Sequence, residues 1–338
     1  TNDRRQRQMC IRDSNKVAGH HNKDMNTAGN VNKESISNDA IDYAIRDVPN
    51  EYKHTFTDLI KSFADVFSSS PDVVGRCDIF PQKITLIDKE KVACKRPYPI
   101  PPNLTPIVES YVLKLLKQKV IESSRSCFNS PLLLIRKPGP MDPNNIFKSY
   151  RIAHDFRLLN SNIASIKYPL NRTFNLVDLV AGGKILSVID LSSGYWNNLL
   201  TEDSKKYTAF SVPNLGHFQY TRSAQGLKNS GACFQRMLDF IIAGIPDVYC
   251  FVDDVIISSS DMASHVKSLR QLFERFRQHG LKCRVHKVHL GAKSVKYLGW
   301  DIVANTSISP SEIKTKAIKD YKEPHNLTAL RGFLGCLL

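Results

Sequence analysis

Residues 248–257 read VYCFVDDVII, two short apolar segments separated by Asp253 and Asp254. Apolar runs of this length around a two-residue turn predict a tight β-hairpin. Two adjacent carboxylates are an unusual choice for such a turn, because each raises the cost of ionising the other. A divalent cation would remove that cost, so the hairpin suggests a metal site.

A third carboxylate that could join this pair is Asp190, which follows the apolar run of residues 185–189. That run predicts another buried strand. If the two strands are neighbours, Asp190 approaches Asp253 and Asp254 at one edge of a sheet. Such a cluster suits two Mg²⁺ ions about 3.5–4 Å apart, for which Mn²⁺ could substitute. From these residues alone, a solvated Asp-Asp turn and a helix-capping Asp190 stay open as the alternative.

The charge balance of the 338-residue chain favours a polyanionic partner. Lysine and arginine number 47 against 32 aspartates and glutamates, which gives a formal net charge of +15. Basic side chains displace condensed counterions from phosphates, so nucleic acid is the first partner to consider. A solvated basic surface without a specific partner is the alternative.

Cysteine usage and hydropathy indicate the cellular setting. The eight cysteines are scattered and form no CxxC pair, as is typical of a reduced, intracellular protein. The sequence contains no run of 18 apolar residues and opens with no signal peptide, so we expect no membrane association. Residues 1–55 are predicted to be a flexible leader or linker. We expect the chain to be a piece of a longer polyprotein.

The order of predicted elements indicates the fold class. Residues 105–116 and 262–279 have the apolar spacing of amphipathic helices, whereas residues 132–135 and 295–303 are predicted strands. Strands and helices are mixed without a regular βαβ alternation. The sequence therefore predicts an α+β fold with a mostly antiparallel sheet covered by helices.

Histidines supply two further signals. Cys283, His286 and His289 could suggest a zinc site, but no fourth ligand is evident, and we do not favour it. His265 lies on the helix that follows the Asp-Asp pair, and we expect it to be partly exposed.

The motifs of the chain match a known family. Residues 190–195 (DLSSGY) resemble the first catalytic motif of retroelement reverse transcriptases, and residues 251–254 (FVDD) resemble their aromatic-x-Asp-Asp box. The chain is most similar to gypsy-type LTR retrotransposons, over about residues 56–338. Other motifs occur in the family's order: Ser130-Pro131, Arg136-Lys137, Tyr150-Arg151, DFRLLN at 155–160, YPL at 168–170, QGL at 225–227, FQ at 234–235, YLGW at 297–300 and LRGFLG at 330–335.

The resemblance implies a right-hand polymerase with fingers, a palm and a partial thumb. Its palm sheet would be antiparallel and carry the three aspartates. The implied limits are residues 56–91 for a segment before the polymerase, 92–165 and 198–229 for the fingers, 166–197 and 230–305 for the palm, and 306–338 for a truncated thumb.

The resemblance also assigns site residues in the fingers. Arg136, Lys137 and Arg151 would meet the triphosphate of the incoming nucleotide. This is chemically reasonable, since arginine offers phosphate a planar fork and lysine a point charge.

Further roles implied by the family concern the sugar and the primer. Tyr195 would pack under the sugar of the nucleotide and exclude a 2′-hydroxyl, so that the product is DNA. Gln225 would contact the sugar and the fingers. Leu298, Gly299 and Trp300, within residues 297–300, would form the primer grip that sets the 3′ end near the metals.

The activity implied is RNA-directed DNA synthesis, which copies retroelement RNA into DNA by two-metal nucleotidyl transfer. The partners would be an RNA template, a DNA or RNA primer, dNTPs, and the RNase H and integrase domains of the parent polyprotein. A homodimer is compatible with this role. We expect the protein in cytoplasmic retroelement particles, with its product destined for the nucleus.

Two alternatives stay open. The chain could be a catalytically inactive, nucleic-acid-binding remnant, because it departs from the family at several positions. Gln225 replaces a usual Phe, Asn197-Asn198 replaces a usual His-Gln pair, and the segment 138–149 is longer than usual. A template-independent nucleotidyltransferase on the same palm is the other alternative, against which the fingers and primer-grip motifs argue.

Overall fold

The structure is a computed structural model that describes residues 36–68, 70, 73–139, 149–170, 173–192 and 194–337. Residues 1–35 of the predicted leader, and residues 140–148 of the long fingertip segment, lie outside the described residues. No helix in the described ranges has the length and apolar character needed to cross a membrane.

The helices and strands alternate irregularly along the chain. The helices are α1 (Asn38–Ala44), α2 (Asn50–Ser62), α3 (Thr105–Lys117), α4 (Arg157–Ser161), α5 (Thr173–Ala181), α6 (Glu202–Lys205), α7 (Ser230–Ile242), α8 (Met262–Gln278), α9 (Glu312–Lys319) and α10 (Leu327–Leu337). The strands are β1 (Phe67–Ser68), β2 (Cys77–Gln82), β3 (Ile121–Ser123), β4 (Leu132–Arg136), β5 (Tyr150–His154), β6 (Ile185–Asp190), β7 (Asn198–Leu200), β8 (Phe210–Val212), β9 (Gly216–Tyr220), β10 (Val248–Phe251), β11 (Asp254–Ser259), β12 (Cys283–Arg284), β13 (His289–Ala292), β14 (Ser294–Tyr297), β15 (Trp300–Val303) and β16 (Ser307–Pro310).

The central sheet contains four antiparallel strands in the order β10-β11-β6-β13. Successive side chains of a strand point to opposite faces, and both faces of this sheet are covered. Val255 and Ile257 of β11 enter a core shared with α2, α7 and α8. Ile256 enters another core on the other face, with α5 and the β14–β15 hairpin. Burial on both faces explains the continuous apolar runs that bound the carboxylates, and the predicted helix-covered antiparallel sheet is confirmed.

The prediction of a flexible leader over residues 1–55 is wrong for its described part. Residues 36–55 include α1 and the start of α2, and they pack against the palm. Gly291 of β13 shows how closely: a Cβ there would lie 2.8 Å from Val48 Cγ2 and 3.1 Å from Phe56 Cζ. The missed signal is an apolar spacing of i, i+1, i+4, i+5 and i+8, which small alanines obscure. Its members are all buried: Ala40, Ile41, Ala44, Ile45 and Val48.

A second core lies in the region predicted as fingers. It is formed by α3, by the antiparallel sheet β3-β9-β8 and by the paired strands β4 and β5. Asp155, directly after β5, ties this core to the proline-rich arm, because its buried carboxylate accepts hydrogen bonds from Tyr98, Lys95 and Arg157. The exact limits of fingers, palm and thumb stay a prediction.

Residues 295–303 form a hairpin, not the single strand that was predicted. Strands β14 and β15 pair antiparallel, with Tyr297 opposite Trp300. The turn is Leu298-Gly299, and both residues have positive φ, +50° and +79°. Two consecutive positive φ values are typical of the tightest hairpin turns, and the glycine at the second position relieves the strain. Apolar residues on both sides of Gly299 hid this turn.

Candidate active site

The Asp-Asp hairpin closes one residue earlier than the sequence suggested. Phe251 pairs with Asp254, so the turn is Val252-Asp253 and Asp254 is the first residue of β11. Val252 has φ +54°, which is rare for a β-branched residue and costs conformational energy. The hairpin that carries two candidate metal ligands is therefore strained.

Gln235 of α7 holds this strained turn. Its side chain is buried, and its Oε1 accepts a hydrogen bond of 2.6 Å from the backbone N–H of Val252. Its Nε2 donates to Asp239 Oδ1 at 2.8 Å, which fixes the orientation of the amide. Strained backbone persists only where its surroundings hold it, and Gln235 supplies that support. Gln235 belongs to the FQ motif at residues 234–235, from which no role could be predicted.

The three aspartates meet at one end of the central sheet. Asp190 and Asp254 are direct partners across β6 and β11. The backbone N–H of Leu191 donates to the Asp253 carbonyl at 3.4 Å. A Cβ built on Gly194 would lie 3.4 Å from Asp253 Oδ2, so the carboxylate of Asp253 borders the segment after Asp190. The strands thus bring together the residues that the sequence placed at one edge.

The electrostatics of the cluster favour an added cation. Burial first, and then the charges of Asp253 and Asp190, raise the pKa of Asp254 to about 6. The positive charge of Lys287 lowers the pKa of Asp254. Lys287 Nζ also donates a hydrogen bond to Asp190 Oδ2 at 2.9 Å. Arg284 Nε lies 4.0 Å from Asp190 Oδ1. Two protein cations therefore stand beside Asp190.

The donor set suits a divalent ion, although the side chains are not arranged as a closed ligand cluster. Carboxylate oxygens are the ligands that Mg²⁺ prefers. Within the described ranges, no group of three or more His, Cys, Asp or Glu side chains is close enough to hold one metal ion. Asp190 faces Lys287 instead, so binding a shared ion requires its carboxylate to turn from that lysine.

A cavity of about 430 Å³ lies beside the cluster. Lys137, Arg151 and Gln225, which the sequence grouped as nucleotide-binding, all line it. Arg151 Nη2 donates to Gln225 Oε1 at 2.9 Å, which links two of them directly. Arg136, the last residue of β4, is exposed and does not line the cavity.

Other residues of the cavity were missed by sequence reasoning. Its described lining includes two further cations, Lys114 of α3 and Arg284 of β12, and no carboxylate. Trp196 also lines it, whereas its neighbour Tyr195 does not. Tyr195 is half-buried and packs edge-on against Phe234, with ring centroids 5.6 Å apart. No local sequence pattern marks Arg284, because it reaches the cavity through the pairing of Cys283 with Leu191.

The predicted primer-grip residues form the turn and first pair of the β14–β15 hairpin. Leu298 and Gly299 make the turn, and Trp300 begins β15. The hairpin is linked to the catalytic sheet by Tyr297, whose hydroxyl donates to the Asp254 carbonyl at 3.4 Å. The hairpin tip and the carboxylates therefore belong to one packed unit.

Of the two histidine signals, the structure contradicts the expectation for His265. His265 is fully buried, not partly exposed, because Ser187 and Ser259 satisfy its two ring nitrogens at 2.7 and 3.1 Å. Burial lowers its pKa to about 4. Cys283 is buried in the palm core, whereas His286 is exposed, so the residues considered for zinc do not converge.

Comparison with known proteins identifies the family to which the chain belongs. Residues 135–302 match the family model described as reverse transcriptase (RNA-dependent DNA polymerase). The chain belongs to the reverse transcriptase family. Among curated relatives, the Retrovirus-related Pol polyprotein from transposon 412 of Drosophila melanogaster is 29% identical over 90% of this chain and 24% of that polyprotein. The Pol polyprotein from transposon gypsy of the same species is 31% identical over 85% of this chain and 28% of its own length. The predicted gypsy-type origin of this reverse transcriptase is confirmed.

Solved structures agree on the fold. The foamy viral protease-reverse transcriptase in complex with RNA/DNA hybrid superimposes with a TM-score of 0.74 at 25% identity, over 88% of this chain and 39% of that one. The same enzyme in complex with dsDNA gives a TM-score of 0.75 at 25% identity, over 88% of this chain and 61% of that one. The right-hand polymerase fold of this reverse transcriptase is therefore confirmed. The chain spans about a quarter of the length of the curated relatives named above.

Proposed function

We propose that this chain performs RNA-directed DNA synthesis, adding dNTPs to a primer on an RNA template and then on DNA. One observation carries the proposal: three aspartates lie at one end of the central sheet, and Arg284, 4.0 Å from Asp190, also lines a cavity whose charged lining residues are all cationic. Carboxylates suit the metals of phosphoryl transfer, and the cations suit the triphosphate of the substrate. A purely structural hairpin would need neither feature.

The catalytic and metal-binding roles fall to Asp190, Asp253 and Asp254. Two divalent ions, Mg²⁺ or Mn²⁺, would supply activation of the primer 3′-hydroxyl and stabilisation of the leaving pyrophosphate. The contribution of the chain is to hold the carboxylates in place. Backbone pairing of β6 with β11 fixes two of them, and Gln235 fixes the turn that carries the third.

The nucleotide roles fall to Lys137, Arg151, Gln225 and Tyr195. Lys137 and Arg151 neutralise the triphosphate, and Gln225 orients the Arg151 guanidinium through their shared hydrogen bond. Tyr195 excludes a 2′-hydroxyl by its bulk. Its ring is kept in place by Phe234, which limits its freedom to move aside.

The partners follow from this chemistry. An RNA template and a DNA or RNA primer would bind mainly through phosphates, as the net charge of +15 favours. Leu298, Gly299 and Trp300 would position the primer end. In the intact polyprotein the RNase H and integrase domains would act on the same product, in cytoplasmic retroelement particles. A homodimer is compatible with this arrangement.

Primer extension on poly(rA)–oligo(dT) with Mg²⁺ or Mn²⁺ tests the proposal. Asp253→Asn removes one candidate metal ligand, and Asp178→Asn, on the exposed side of α5, is the matched control. We expect dTTP incorporation by the wild type and by the control, but not by Asp253→Asn. Wild-type protein that binds the template–primer without extending it would contradict the proposal and establish an inactive remnant. Incorporation that ignores the template would identify a template-independent nucleotidyltransferase.

A further inference from the structure

Arg284 joins the two halves of the candidate site. Its guanidinium lines the cavity that contains Lys137 and Arg151, and its Nε lies 4.0 Å from Asp190 Oδ1. Arg284 is thus a palm residue at the boundary between the cavity and the carboxylates.

Backbone pairing fixes this position. Cys283 forms a β-bridge with Leu191, the residue after Asp190, and the backbone N–H of Ser192 donates to the Lys282 carbonyl at 2.7 Å. Successive side chains of a strand point to opposite sides. Because Cys283 is buried in the palm core, Arg284 must point away from that core, towards the cavity.

One donor of the Arg284 guanidinium has no hydrogen-bond acceptor among the described residues. This donor is the buried Nε. Its distance of 4.0 Å to Asp190 is too long for a hydrogen bond, and that carboxylate already accepts from Lys287. A buried donor without an acceptor is costly, and a ligand that supplies the acceptor recovers this cost.

We propose that Arg284 binds the triphosphate of the incoming nucleotide from the palm side, a role that rests on the proposed polymerase function. Phosphate oxygens are the acceptors that best match a guanidinium, because it can donate two parallel hydrogen bonds to them. The position of Arg284 between Asp190 and the cavity sets it beside the phosphates nearest the reacting end. Lys137 and Arg151 hold the same group from the fingers.

The test separates nucleotide binding from catalysis. Arg284→Met keeps the aliphatic stem and removes the charge, and Arg284→Lys keeps a charge without the fork. The control is Arg275→Met, a half-buried arginine of α8 outside the cavity. We expect Arg284→Met to raise the KM for dTTP about 10–100-fold, the loss typical of one hydrogen bond to a charged group, with kcat and template–primer affinity nearly unchanged. The KM of Arg284→Lys for dTTP should lie between those of the wild type and Arg284→Met.

A second measurement does not depend on chemistry. With a dideoxy-terminated primer and Ca²⁺, the dTTP concentration that protects the ternary complex from a competitor should rise by the same factor in Arg284→Met. An unchanged dTTP dependence in both assays would overturn the role of Arg284 while leaving the polymerase intact. A change only in the Mg²⁺ requirement would also overturn it and reduce Arg284 to a neutraliser of Asp190. A wild type that neither incorporates nor retains dTTP would overturn both proposals.

Discussion

Asp254→Asn is expected to stabilise the metal-free protein while it abolishes DNA synthesis. The wild-type carboxyl has its pKa raised from 3.8 to about 6, by burial first and then by Asp253 and Asp190. At neutral pH the unfolded chain ionises this group freely, whereas the folded protein must hold the charge in an unfavourable place. A shift of this size costs the folded state about 2–3 kcal/mol at pH 7. Asparagine has nearly the same shape and carries no charge.

The sign of the effect fixes its pH dependence. Because the folded pKa is raised, the cost is nearly absent below about pH 3, grows as pH rises, and is complete above about pH 7. An unfolding entropy of about 2.1 cal/mol/K per residue converts 2–3 kcal/mol into a rise in Tm of roughly 3–4 °C for a chain of this length. At pH 4 the gain should fall to about 0.5 kcal/mol.

Thermal unfolding of the wild type and Asp254→Asn at pH 4 and pH 7.5, with and without Mg²⁺, measures this gain in stability. Mg²⁺ should raise the Tm of the wild type, because it binds the folded state, and should raise that of Asp254→Asn much less. Asp178→Asn should change the free energy of unfolding by no more than about 0.5 kcal/mol at either pH. An equal gain at both pH values, or a loss of stability at pH 7.5, would refute the assignment of Asp254 as a strained carboxylate.

Three further substitutions test other parts of the structure. Asp155→Asn should cost about 2–4 kcal/mol in urea unfolding at pH 7, a value reduced by the exposure of its cationic partners. Arg157 foremost holds the pKa of Asp155 well below its usual range, so this difference should persist above pH 4 and fade below it; a constant difference at every pH would contradict it. Gln235→Leu should lower kcat about 10–100-fold at saturating dTTP, because the Val252 turn loses its acceptor and misplaces the carboxylates; unchanged single-turnover rates would disprove the support role. Tyr195→Val should reduce discrimination against rUTP by about 10-fold or more, and equal selectivity in wild type and variant would remove Tyr195 from the sugar filter.

The catalytic end of the palm could be predicted from sequence because its signals are local. Each carboxylate follows a short apolar strand, and strands of that kind place their last residues at a sheet edge. The exact turn could not be predicted, since Val252 adopts a positive φ that only a distant partner, Gln235, makes tolerable.

Other features were missed because they depend on tertiary contacts. Arg284 reaches the cavity only through the pairing of Cys283 with Leu191. His265 is buried because serines on two strands satisfy its ring, and nothing in a helical pattern reveals those partners. The nucleotide-binding role of the fingers cations could be predicted only from the motif resemblance, because single lysines and arginines are ordinary surface residues.

The close contact of Gly291 with Val48 and Phe56 means that the segment matched by the family model is shorter than the unit that folds. The family match begins at residue 135, yet the hydrophobic layer under the catalytic sheet starts near residue 40. A recombinant enzyme trimmed to residues 135–302 would expose the underside of β13 to water. Removal of residues 36–48 alone would take Val48 away from Gly291, so polypeptide upstream of the matched segment helps to keep the catalytic sheet covered.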